Sequence, residues 1–457
     1  MKKFDLIIIG GGRASNLAVT AGKKGLKVAL VEKSTLGGTC PNRGCVPSKL
    51  LIGYAHVARA IKESDRHFID SSINNIDVEK IFEETNNYVS KIDSRYESRF
   101  NENVEIFRGT GSFLSNNIVK VNDDELTAPK IVIATGTKPI KAGHEKAWTS
   151  DDIFPLKGNI PKSITIVGSG FIACELANFF SALGIETKLL SRSQRILGNE
   201  DKDISAIFKE EFTKSVDIEF DTTIQNVEYK DNKFELTLDS KSKGLIEYTS
   251  EALLYATGRK SNSGSLHLEN TTIDINERGF IQRDEFFETS AKGVYVVGDA
   301  AGEHMLQHAA AYEVNHLGRI LLEDCKEPLN FKYMPHAVFT EPEIASVGIT
   351  EQKAEEQNIE YVTTTTNWLA SAKAMSTRLK YPVTKFIVNP NTYEILGCHM
   401  IGPESSTMMH QVLAVMHINN DIRHIKEMLY IHPALSEALL PAAVEAVKEI
   451  ERYNTGS

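Results

Sequence analysis

A pattern of strand, glycine-rich turn and helix occurs twice in this chain, and it limits the fold more than any other feature. In the first copy an apolar strand leads into Gly10 and Gly12, and in the second another leads into Gly168 and Gly170. Each turn is followed by a helical segment and a further apolar strand. Glycines at these positions let a pyrophosphate approach the backbone and the N-terminus of the helix. The repeat therefore predicts two dinucleotide-binding units built on parallel sheets, and two bound nucleotides.

Two residues of the first unit refine this prediction. Glu32 ends the second strand, 22 residues after Gly10, where an acid accepts hydrogen bonds from ribose hydroxyls. An ordinary charge at a strand end is the alternative interpretation of Glu32. Ser15 occupies the third glycine position, so the packing of helix on strand must accommodate a hydroxymethyl group there.

A close pair of cysteines lies between the two units, in the segment 37–49. Cys40 and Cys45 are five positions apart in a stretch punctuated by Gly and Pro, close enough to form a small-ring disulfide. A dithiol beside a nucleotide-binding crevice can exchange electrons with the nucleotide. Zinc binding is the weaker interpretation, because zinc needs two further soft ligands at a similar spacing. The other cysteines are isolated from one another: Cys174, Cys325 and Cys398. We expect no metal site.

Length and charge exclude several functions. With 457 residues the chain is expected to contain about two to four domains. Its net charge of −10 argues against an electrostatic nucleic-acid binder. The sequence has no run of about 18 apolar residues, and the short apolar run after Lys3 ends in glycines, so we expect neither a membrane span nor a signal peptide. We expect a cytoplasmic protein.

Apolar runs and helical periodicity predict the remaining elements. A helix opened by proline runs from Pro47 to about Glu63, and residues 65–103 are polar with a helical pattern. From about residue 331 strands and helices alternate, which predicts a separate α+β domain. Further strands and helices are predicted at 27–32, 130–133, 186–191, 251–255, 294–297, 386–388, 395–399, 405–418 and 435–451.

The ordered motifs of the chain resemble those of the class I pyridine nucleotide–disulfide oxidoreductases. This family includes dihydrolipoamide dehydrogenase, glutathione reductase, mycothione reductase and mercuric reductase. The resemblance covers nearly the whole length of the chain. Its motifs are the two Gly-x-Gly turns, Gly37-Gly38-Thr39-Cys40-x4-Cys45-x-Pro47-Ser48-Lys49, Ala134-Thr135-Gly136, Ala256-Thr257-Gly258-Arg259, Gly298-Asp299-Ala300, Val338-Phe339-Thr340-Glu341-Pro342-Glu343 and His432-Pro433-x3-Glu437.

The resemblance implies an α/β fold in three parts. Residues 1–150 and 260–330 would form an FAD-binding domain of the Rossmann type. An NAD(P)-binding domain of the same type, residues 151–259, would be inserted within it. Residues 331–457 would form an α+β dimerisation domain, so the resemblance implies a homodimer.

The resemblance also implies roles for the thiols and a charged pair. Cys45 would face the flavin and Cys40 would attack the substrate. A nucleophilic thiol must be reachable and deprotonated, which nearby positive charge or a helix N-terminus favours. Lys49 would pair with Glu175 next to the flavin. A solvated helix face is the alternative interpretation of Lys49.

His432 would be the acid/base of the reaction, supplied by the partner subunit. An imidazole titrates near neutrality, so it can hold the proton that leaves Cys40 and return it to the departing thiol. Glu437 would fix the tautomer of that imidazole and stabilise its cation. On the residues alone, a single His-Pro such as His432-Pro433 is more often a structural turn.

The cofactors implied are FAD and a pyridine nucleotide. Family likeness places Asp299 on the ribityl and phosphate side of the flavin. The residues expected to bind FAD are Gly10, Gly12, Glu32, Lys33, Gly38, Thr39, Ala134, Thr135, Gly136, Gly298, Asp299 and Leu306. The residues expected to bind the pyridine nucleotide are Gly168, Gly170, Phe171, Ile172, Arg192, Arg195 and Gly258.

The end of the second nucleotide unit indicates which nicotinamide is used. NAD-dependent relatives carry an acid after the second strand, whereas this chain has Ser191 followed by Arg192 and Arg195. Two guanidiniums can bind a 2′-phosphate through charge-assisted hydrogen bonds of about 1.5–3 kcal/mol each. We therefore expect NADPH to be preferred, with NADH as the alternative. Solvated surface charges are the alternative interpretation of both arginines.

These expectations combine into one function and two alternatives. The first is an FAD-dependent NAD(P)H:disulfide oxidoreductase that reduces a small-thiol disulfide through Cys40 and Cys45. A dihydrolipoamide dehydrogenase, which oxidises a dihydrolipoyl group with NAD, is the first alternative. A non-catalytic complex subunit that keeps the fold is the second. Mercuric reductase is disfavoured because no cysteine pair lies near the C-terminus, the last cysteine being Cys398.

Overall fold

The computed structural model describes residues 1–156 and 159–456 as a mixed α/β chain. Its strands are β1 (Lys2–Lys3), β2 (Leu6–Ile9), β3 (Val28–Glu32), β4 (Val104–Arg108), β5 (Gly111–Ser115), β6 (Ile118–Val121), β7 (Asp124–Thr127), β8 (Lys130–Ile133), β9 (Thr137–Pro139), β10 (Ser163–Val167), β11 (Glu186–Leu190), β12 (Asp217–Glu219), β13 (Thr222–Lys230), β14 (Lys233–Ser240), β15 (Gly244–Ser250), β16 (Ala252–Tyr255), β17 (Arg259–Ser261), β18 (Val294–Val296), β19 (His336–Val338), β20 (Ile344–Gly348), β21 (Val362–Asn367), β22 (Val383–Val388) and β23 (Ile395–Ile401). Its α-helices are α1 (Ser15–Lys23), α2 (Thr39–Arg43), α3 (Cys45–Lys62), α4 (Val78–Val89), α5 (Ile92–Glu97), α6 (Phe171–Ala182), α7 (Lys202–Phe212), α8 (Gln307–Glu323), α9 (Glu351–Glu356), α10 (Ala372–Ser376), α11 (Ser405–Ile418), α12 (Ile422–Glu427) and α13 (Leu439–Thr455).

The first nucleotide unit lies in a parallel sheet with the strand order β18-β8-β2-β3-β4. Every residue of β2 and β3 is buried, as expected for central strands covered on both faces. The strand order reverses between β2 and β8. In a doubly wound fold the crevice beyond the carboxyl ends at this point receives the dinucleotide. A second sheet, β1-β7-β6-β5, belongs to the same part of the chain.

The second nucleotide unit repeats this arrangement. Its four-stranded parallel sheet has the order β12-β11-β10-β16, which reverses between β10 and β16. At each reversal a glycine with positive φ lies against the backbone of the neighbouring turn. A Cβ on Gly10 (φ +116°) would lie 2.2 Å from the carbonyl oxygen of Ala134, and one on Gly168 (φ +142°) 2.5 Å from that of Ala256. Both sites therefore require glycine, and the predicted Rossmann repeat is confirmed.

The two nucleotide units are joined by a pair of short antiparallel strands, β9 and β17. Thr137 pairs with Ser261 and Pro139 with Arg259. These strands directly follow the Ala-Thr-Gly turns of the two units. Each crossing of the chain between the units therefore begins at a nucleotide-binding turn.

The C-terminal part is an antiparallel sheet with helices. Its strand order is β19-β20-β23-β22-β21, and the apolar residues of α11, α12 and α13 form one core with this sheet. This confirms the predicted α+β domain. The three parts together confirm the expected fold class of two Rossmann-type domains and a C-terminal α+β domain.

Most predicted elements occur within one or two residues of their expected bounds, but the segment 65–103 differs. We expected helix throughout, whereas residues 68–77 contain no helix or strand. Phe68 adopts a left-handed conformation with φ +61°, which stops the preceding turn. Asp77 then caps α4 by accepting a hydrogen bond from the Lys80 backbone N–H at 3.0 Å. The predicted 435–451 helix likewise begins as a 3-10 turn before α13.

The packing of α3 on α6 positions the candidate site. Leu51 and Ala55 of α3 belong to the same buried cluster as Cys174 and Ala177 of α6. These helices come from different nucleotide units. Their contact holds the segment that follows the cysteine pair against the first turns of the second unit's helix.

Candidate active site

The two cysteines lie at the starts of two consecutive helices. Cys40 is the second residue of α2, and Cys45 is the first residue of α3. The side chain of Asn42 holds the bend, because its Nδ2 donates to the carbonyl oxygens of Leu36 (2.9 Å) and Gly38 (2.8 Å). Both cysteines are free thiols, Cys40 half-buried and Cys45 exposed. The two thiols are thereby held on either side of a bend that Asn42 stabilises.

The two thiols differ in acidity. A hydrogen bond with Cys40, helped by the charge of Lys49 and opposed by burial, lowers the pKa of Cys45 to about 7. The same hydrogen bond, with burial, raises the pKa of Cys40. Cys45 also begins α3, and the positive end of the helix dipole favours a thiolate there. We expected the attacking thiol, Cys40, to be the more acidic one, whereas the shared hydrogen bond lowers the pKa of Cys45 and raises that of Cys40.

A charged pair lies beside the cysteines. The Nζ of Lys49, one turn into α3, lies 2.7 Å from Oε2 of Glu175 on α6, whose side chain is 7% exposed. The other oxygen, Oε1, accepts a hydrogen bond from the backbone N–H of Phe339 at 3.0 Å. The ring of Phe339 also lies under Lys49, with Nζ 4.6 Å from the ring centroid. The expected pairing of Lys49 with Glu175 is present, and a residue of the C-terminal domain fixes both partners.

The first nucleotide crevice fits a bound dinucleotide such as FAD. Gly38 approaches the first turn so closely that a Cβ on it would lie 2.7 Å from Cα of Gly12. Within the described residues, Ser15 Oγ, Thr135 Oγ1 and Arg13 Nε are buried without a hydrogen-bond partner. Buried polar atoms are normally paired. These atoms point to a polar ligand in the crevice, and the hydroxyl at the third glycine position becomes one of its candidate donors.

Glu32 lies at the edge of this crevice. Its Oε2 accepts a hydrogen bond from the Gly11 N–H at 2.7 Å and its Oε1 one from the Ser34 N–H at 2.7 Å. The carboxylate thus fixes the glycine turn and the loop that leads toward the cysteines. Each carboxylate oxygen has a further lone pair, so these contacts are compatible with the expected ribose role.

Asp299 closes the other end of the crevice. Burial raises the pKa of Asp299, although hydrogen bonding and the charge of Arg259 oppose the rise. Its Oδ2 accepts a hydrogen bond from Thr137 Oγ1 at 2.9 Å. Thr137 Oγ1 in turn accepts a hydrogen bond from Arg259 Nε at 2.8 Å. The chain of contacts connects Asp299 to both strands of the β9–β17 crossing.

The residues expected to bind FAD gather at one edge of the first sheet. They follow the carboxyl ends of β2, β3, β8 and β18, together with the cysteine loop and the residue before α8: Gly10, Gly12, Glu32, Lys33, Gly38, Thr39, Ala134, Thr135, Gly136, Gly298, Asp299 and Leu306. Because parallel strands end at the same edge, local motifs distant in sequence meet there. Lys33 is exposed at this edge.

A cavity of about 520 Å³ lies beyond the carboxyl ends of β10 and β11. Its lining includes Gly143, Val167, Leu190, Arg192 and Tyr255. The cavity occupies the position that a Rossmann unit gives to the adenosine end of its nucleotide. Of the two expected arginines, Arg192 lines it.

Arg195 is placed differently from the expectation. Its guanidinium donates to the carbonyl oxygen of Glu200, and its Nε lies 3.3 Å from Ser205 Oγ. These protein contacts occupy donors that the sequence argument assigned to a 2′-phosphate. Sequence spacing indicated that two arginines were close to the strand end, but it could not indicate which way each side chain turns.

The helix side of the same crevice carries the remaining predicted residues. Gly168 and Gly170 form the turn before α6, and Gly258 follows the opposite strand. Phe171, the first residue of α6, is 47% exposed, and Ile172 is half-buried. The Phe171 ring is thus exposed at the start of α6, four residues before Glu175.

The candidate acid/base lies in the C-terminal domain. His432 Nδ1 lies 2.8 Å from Oε1 of Glu437, which leaves Nε2 as the nitrogen that can exchange a proton. This hydrogen bond lowers the pKa of Glu437. The segment is unusually exposed and apolar: the His432 side chain is 77% exposed, and Leu429 and Ile431 are 102% and 81% exposed. Such a surface marks a contact with another molecule.

The described residues contain neither a cluster of metal ligands nor a membrane-spanning helix. Across residues 1–156 and 159–456, His, Cys, Asp and Glu side chains do not assemble in groups of three or more that could hold a metal ion. None of the helices in those same ranges combines the length and apolar character needed to cross a membrane.

Comparison with known families decides the identity of the chain. The family described as pyridine nucleotide-disulphide oxidoreductase matches residues 4–313, and its dimerisation domain matches residues 334–443. The chain belongs to this family. The resemblance drawn from the motifs is therefore confirmed, and the protein is an enzyme of the flavoprotein disulfide oxidoreductase type.

Individual pyridine nucleotide-disulfide oxidoreductases match along nearly the whole chain. A dihydrolipoyl dehydrogenase from Chlamydia pneumoniae is 31% identical over 458 residues, covering 97% of this chain and 97% of that protein. A mercuric reductase from Bacillus cereus is 30% identical over 462 residues, covering 99% of this chain and 73% of that protein. The solved structure of RclA, an HOCl-induced flavoprotein disulfide reductase from Escherichia coli, superposes with a TM-score of 0.85 at 26% identity, covering 96% of this chain and 99% of that one.

Membership in the family supports the coarser cofactor and assembly expectations. FAD and a pyridine nucleotide are typical of these oxidoreductases, and the matched dimerisation domain supports a homodimer. The exposed apolar segment around His432 lies within that dimerisation domain. The site residues that sequence reasoning missed are Phe339, Thr137 and Arg259. Phe339 and Arg259 stood in motifs already recognised, but nothing in the sequence indicated their contacts with Glu175 and Asp299.

Proposed function

We propose that the protein is a homodimeric, FAD-dependent oxidoreductase that uses NADPH to reduce a small-thiol disulfide. The observation that carries this proposal is the meeting of Cys45, Lys49 and Glu175 between two nucleotide crevices. Electrons must pass from one nucleotide to the other and then to sulfur. The packing of α3 on α6 brings the required groups to one place.

FAD would be held by the crevice that Gly10, Gly38, Glu32 and Asp299 line. When bound there, it accepts a hydride from the nicotinamide and supplies an electron pair to the Cys40–Cys45 disulfide. Lys49 and Glu175 orient the reacting groups where the two nucleotides meet. Ser15 Oγ and Thr135 Oγ1, which have no protein partner, would donate to polar atoms of the cofactor.

The two reduced thiols have different roles in the reaction. Cys45 holds the stable thiolate, because its pKa is lowered to about 7. Cys40 attacks one sulfur of the substrate disulfide, so that a mixed disulfide forms and the first thiolate leaves. Cys45 then attacks the sulfur of Cys40, which releases the second thiolate, protonated by water, and forms the Cys40–Cys45 disulfide again. One electron pair enters and two thiols leave.

Cys40 needs a base because the structure raises its pKa. His432 of the partner subunit would take the proton of Cys40 and give it to the first leaving thiolate. Glu437 holds that imidazole in each chain by the Nδ1 contact, so Nε2 carries the exchanged proton. The extreme exposure of the 429–432 segment supports delivery across a dimer interface.

The NADPH preference rests on Arg192. Arg192 lines the adenosine cavity, and Ser191 stands where NAD-dependent relatives carry an acid. A guanidinium binds a phosphate through charge-assisted hydrogen bonds, and no carboxylate at this position repels it. The preference supports a reductase of small disulfides, since such enzymes consume NADPH. The reduced thiols that it requires also support a cytoplasmic location, where the compartment is reducing.

A dihydrolipoyl dehydrogenase is the second candidate, supported by the relative that is 31% identical over nearly the full chain. The two candidates share every thiol step and differ in direction, nucleotide and disulfide. A mercuric reductase has less support from the residues, because the last cysteine is Cys398, which is fully buried in the C-terminal core.

Steady-state kinetics separate the candidates. The purified holoenzyme is assayed with NADPH and NADH against lipoamide, glutathione disulfide and other small disulfides, and in reverse with dihydrolipoamide and NAD. We expect higher kcat/KM with NADPH and a non-lipoyl disulfide. Faster turnover with NADH and lipoamide would establish the second candidate. Cys40→Ser, which keeps a hydroxyl in place of the thiol, is the control that must abolish disulfide reduction while nicotinamide oxidation with an artificial acceptor continues.

A further inference from the structure

The loop that selects the nucleotide, residues 191–200, is tied to the dimerisation domain. We call it the selectivity loop. We infer that Arg195 is a positioning residue in this loop, held through Glu200 by the dimerisation domain, and that Arg192 rather than Arg195 meets the 2′-phosphate. This inference deepens the proposed NADPH preference and rests on it only for the role of Arg192.

Hydrogen bonds inside the selectivity loop leave it little freedom. Ser191 Oγ donates to the carbonyl oxygen of Ser193 at 2.8 Å, and Ser193 Oγ donates to that of Arg195 at 2.8 Å. The backbone N–H of Leu197 donates to the carbonyl oxygen of Ser169 at 2.7 Å. Ser169 lies in the glycine turn between Gly168 and Gly170. The selectivity loop and the pyrophosphate turn are therefore one connected unit.

Glu200 anchors the far end of the loop to the C-terminal domain. Its Oε1 lies 2.8 Å from His336 Nε2 and its Oε2 accepts a hydrogen bond from Ser346 Oγ at 2.8 Å. Its backbone carbonyl accepts from the Arg195 guanidinium and, at 2.8 Å, from Gln352 Nε2. His336, Ser346 and Gln352 all belong to the dimerisation domain. Arg195 thus points from the nucleotide loop toward this anchor.

Burial makes the anchor a strong one. The Glu200 side chain is 6% exposed, and a buried carboxylate is costly unless it is paired. Burial would raise the pKa of Glu200, but the hydrogen bonds from His336 and Ser346 outweigh it and the pKa is lowered. Burial would lower the pKa of His336, but its hydrogen bond with Glu200 outweighs this effect and the pKa is raised. Both shifts favour the ion pair.

Arg192 has the opposite placement. It is exposed on the cavity side of the loop and lines the adenosine cavity. A pre-ordered loop presents one guanidinium without an ordering cost at the moment of binding. Arg195 supports the adenosine half of either nucleotide, whereas Arg192 distinguishes nucleotides by their 2′-substituent.

Binding of nucleotide fragments tests these roles without turnover. Calorimetric titration of the holoenzyme with adenosine 2′,5′-bisphosphate and with 5′-AMP measures the 2′-phosphate separately from the adenosine. We expect Arg195→Met to weaken both fragments by the same factor, about three- to tenfold. Arg195→Lys, which keeps a donor for the Glu200 carbonyl, should restore part of that loss. Ser346→Ala, in the dimerisation domain, should weaken both fragments in the same direction.

The outcomes separate this inference from the proposed function. Arg192→Ala should weaken binding of the bisphosphate about ten- to a hundredfold and leave binding of 5′-AMP unchanged. If Arg192→Ala does not weaken bisphosphate binding, the NADPH preference is removed, but the role of Arg195 is not. Loss of the bisphosphate alone in Arg195→Met would overturn the inference, because Arg195 would then be a direct ligand. Unchanged affinities in Arg195→Met would overturn it as well. Arg452→Met, on the surface of α13, is the matched control and should change neither fragment.

Discussion

A buried lysine at the junction of the second nucleotide domain and the dimerisation domain provides the sharpest test of how these domains are held together. Lys385, in β22, is fully buried. Its Nζ lies 2.8 Å from Asp201 Oδ1, 2.6 Å from Asp203 Oδ2 and 2.6 Å from Glu351 Oε2. Lys385→Met removes the charge and keeps most of the side-chain volume.

The expected cost follows from which carboxylates lose their partner. Asp201 is fully buried and the Glu351 side chain is 13% exposed, whereas that of Asp203 is 48% exposed. Removing one partner of a buried ion pair costs about 3–5 kcal/mol, because the remaining charge is left uncompensated. An exposed pair contributes about 0–1 kcal/mol. We therefore expect Lys385→Met to destabilise this junction by about 3–5 kcal/mol, mostly through Asp201.

The loss of stability in Lys385→Met should depend on pH in a definite direction. Burial would raise the pKa of Asp201 and of Glu351, but hydrogen bonds from Lys385 outweigh it and both are lowered. The contribution of these two carboxylates to stability is therefore fully present above their pKa values in the unfolded chain. It is lost as the pH falls through their lowered pKa values in the folded chain. Lys385→Met removes the hydrogen bonds that lower the pKa of Asp201 and Glu351. The difference in stability between wild type and variant should be largest near about pH 7 and should shrink toward about pH 4.

Urea denaturation followed by tryptophan fluorescence measures this difference across pH. Trp368 is buried in the C-terminal core and Trp148 packs against the core of the second nucleotide domain, so each reports on one side of the junction. Lys202→Met is the matched control, because Lys202 is exposed and pairs with Glu351 at 3.3 Å. A loss below about 1 kcal/mol at pH 7 for Lys385→Met, or a difference that is the same at pH 7 and pH 4.5, would refute the reasoning.

Three further outcomes are expected. In the reduced, flavin-free protein, thiolate absorbance should rise with a midpoint near pH 7. Cys40→Ala should move this midpoint to higher pH, because the hydrogen bond from Cys40 is the main cause of the lowered pKa of Cys45. Lys49→Met should slow flavin reduction by NADPH about tenfold or more in stopped-flow experiments, because Glu175 loses its partner, while Lys49→Arg retains part of the rate. Cys40→Ser and His432→Gln homodimers should both be inactive. After subunit exchange in an equimolar mixture, about half of the dimers are mixed and carry one intact shared site of two, so the mixture should recover about a quarter of wild-type turnover. No recovery would place the whole site within one subunit.

Local patterns explain why much of the fold could be predicted from the sequence. Buried parallel strands such as β2 and β10 are continuous apolar runs, and the glycines after them are required by a close backbone approach. Both signals lie within a few residues of one another. The failure at residues 68–77 has the same origin: polar composition and helical spacing continue through the segment. The stop is set by the left-handed Phe68 and by the Asp77 cap.

Side-chain direction explains why part of the site could not be predicted. Arg192 and Arg195 both follow β11 in sequence, and nothing within that stretch distinguishes them. The distinction is made by Glu200, whose own position depends on His336 and Ser346 more than 130 residues away, at separations of 136 and 146. Contacts of this kind depend on how the domains pack. No periodicity or motif spacing records them.

The charged pair of Lys49 and Glu175 likewise depends on the packing of all three domains. Lys49 comes from the first nucleotide unit, Glu175 from the second and Phe339 from the dimerisation domain. Each makes a direct contact with both of the others: an ion pair, a backbone hydrogen bond and a cation–ring contact. The geometry at the meeting point of the two nucleotides is therefore set only when all three domains are docked. A junction held by buried charges, as at Lys385 and Glu200, suits this requirement, because a buried pair tolerates little displacement before its desolvation is uncompensated.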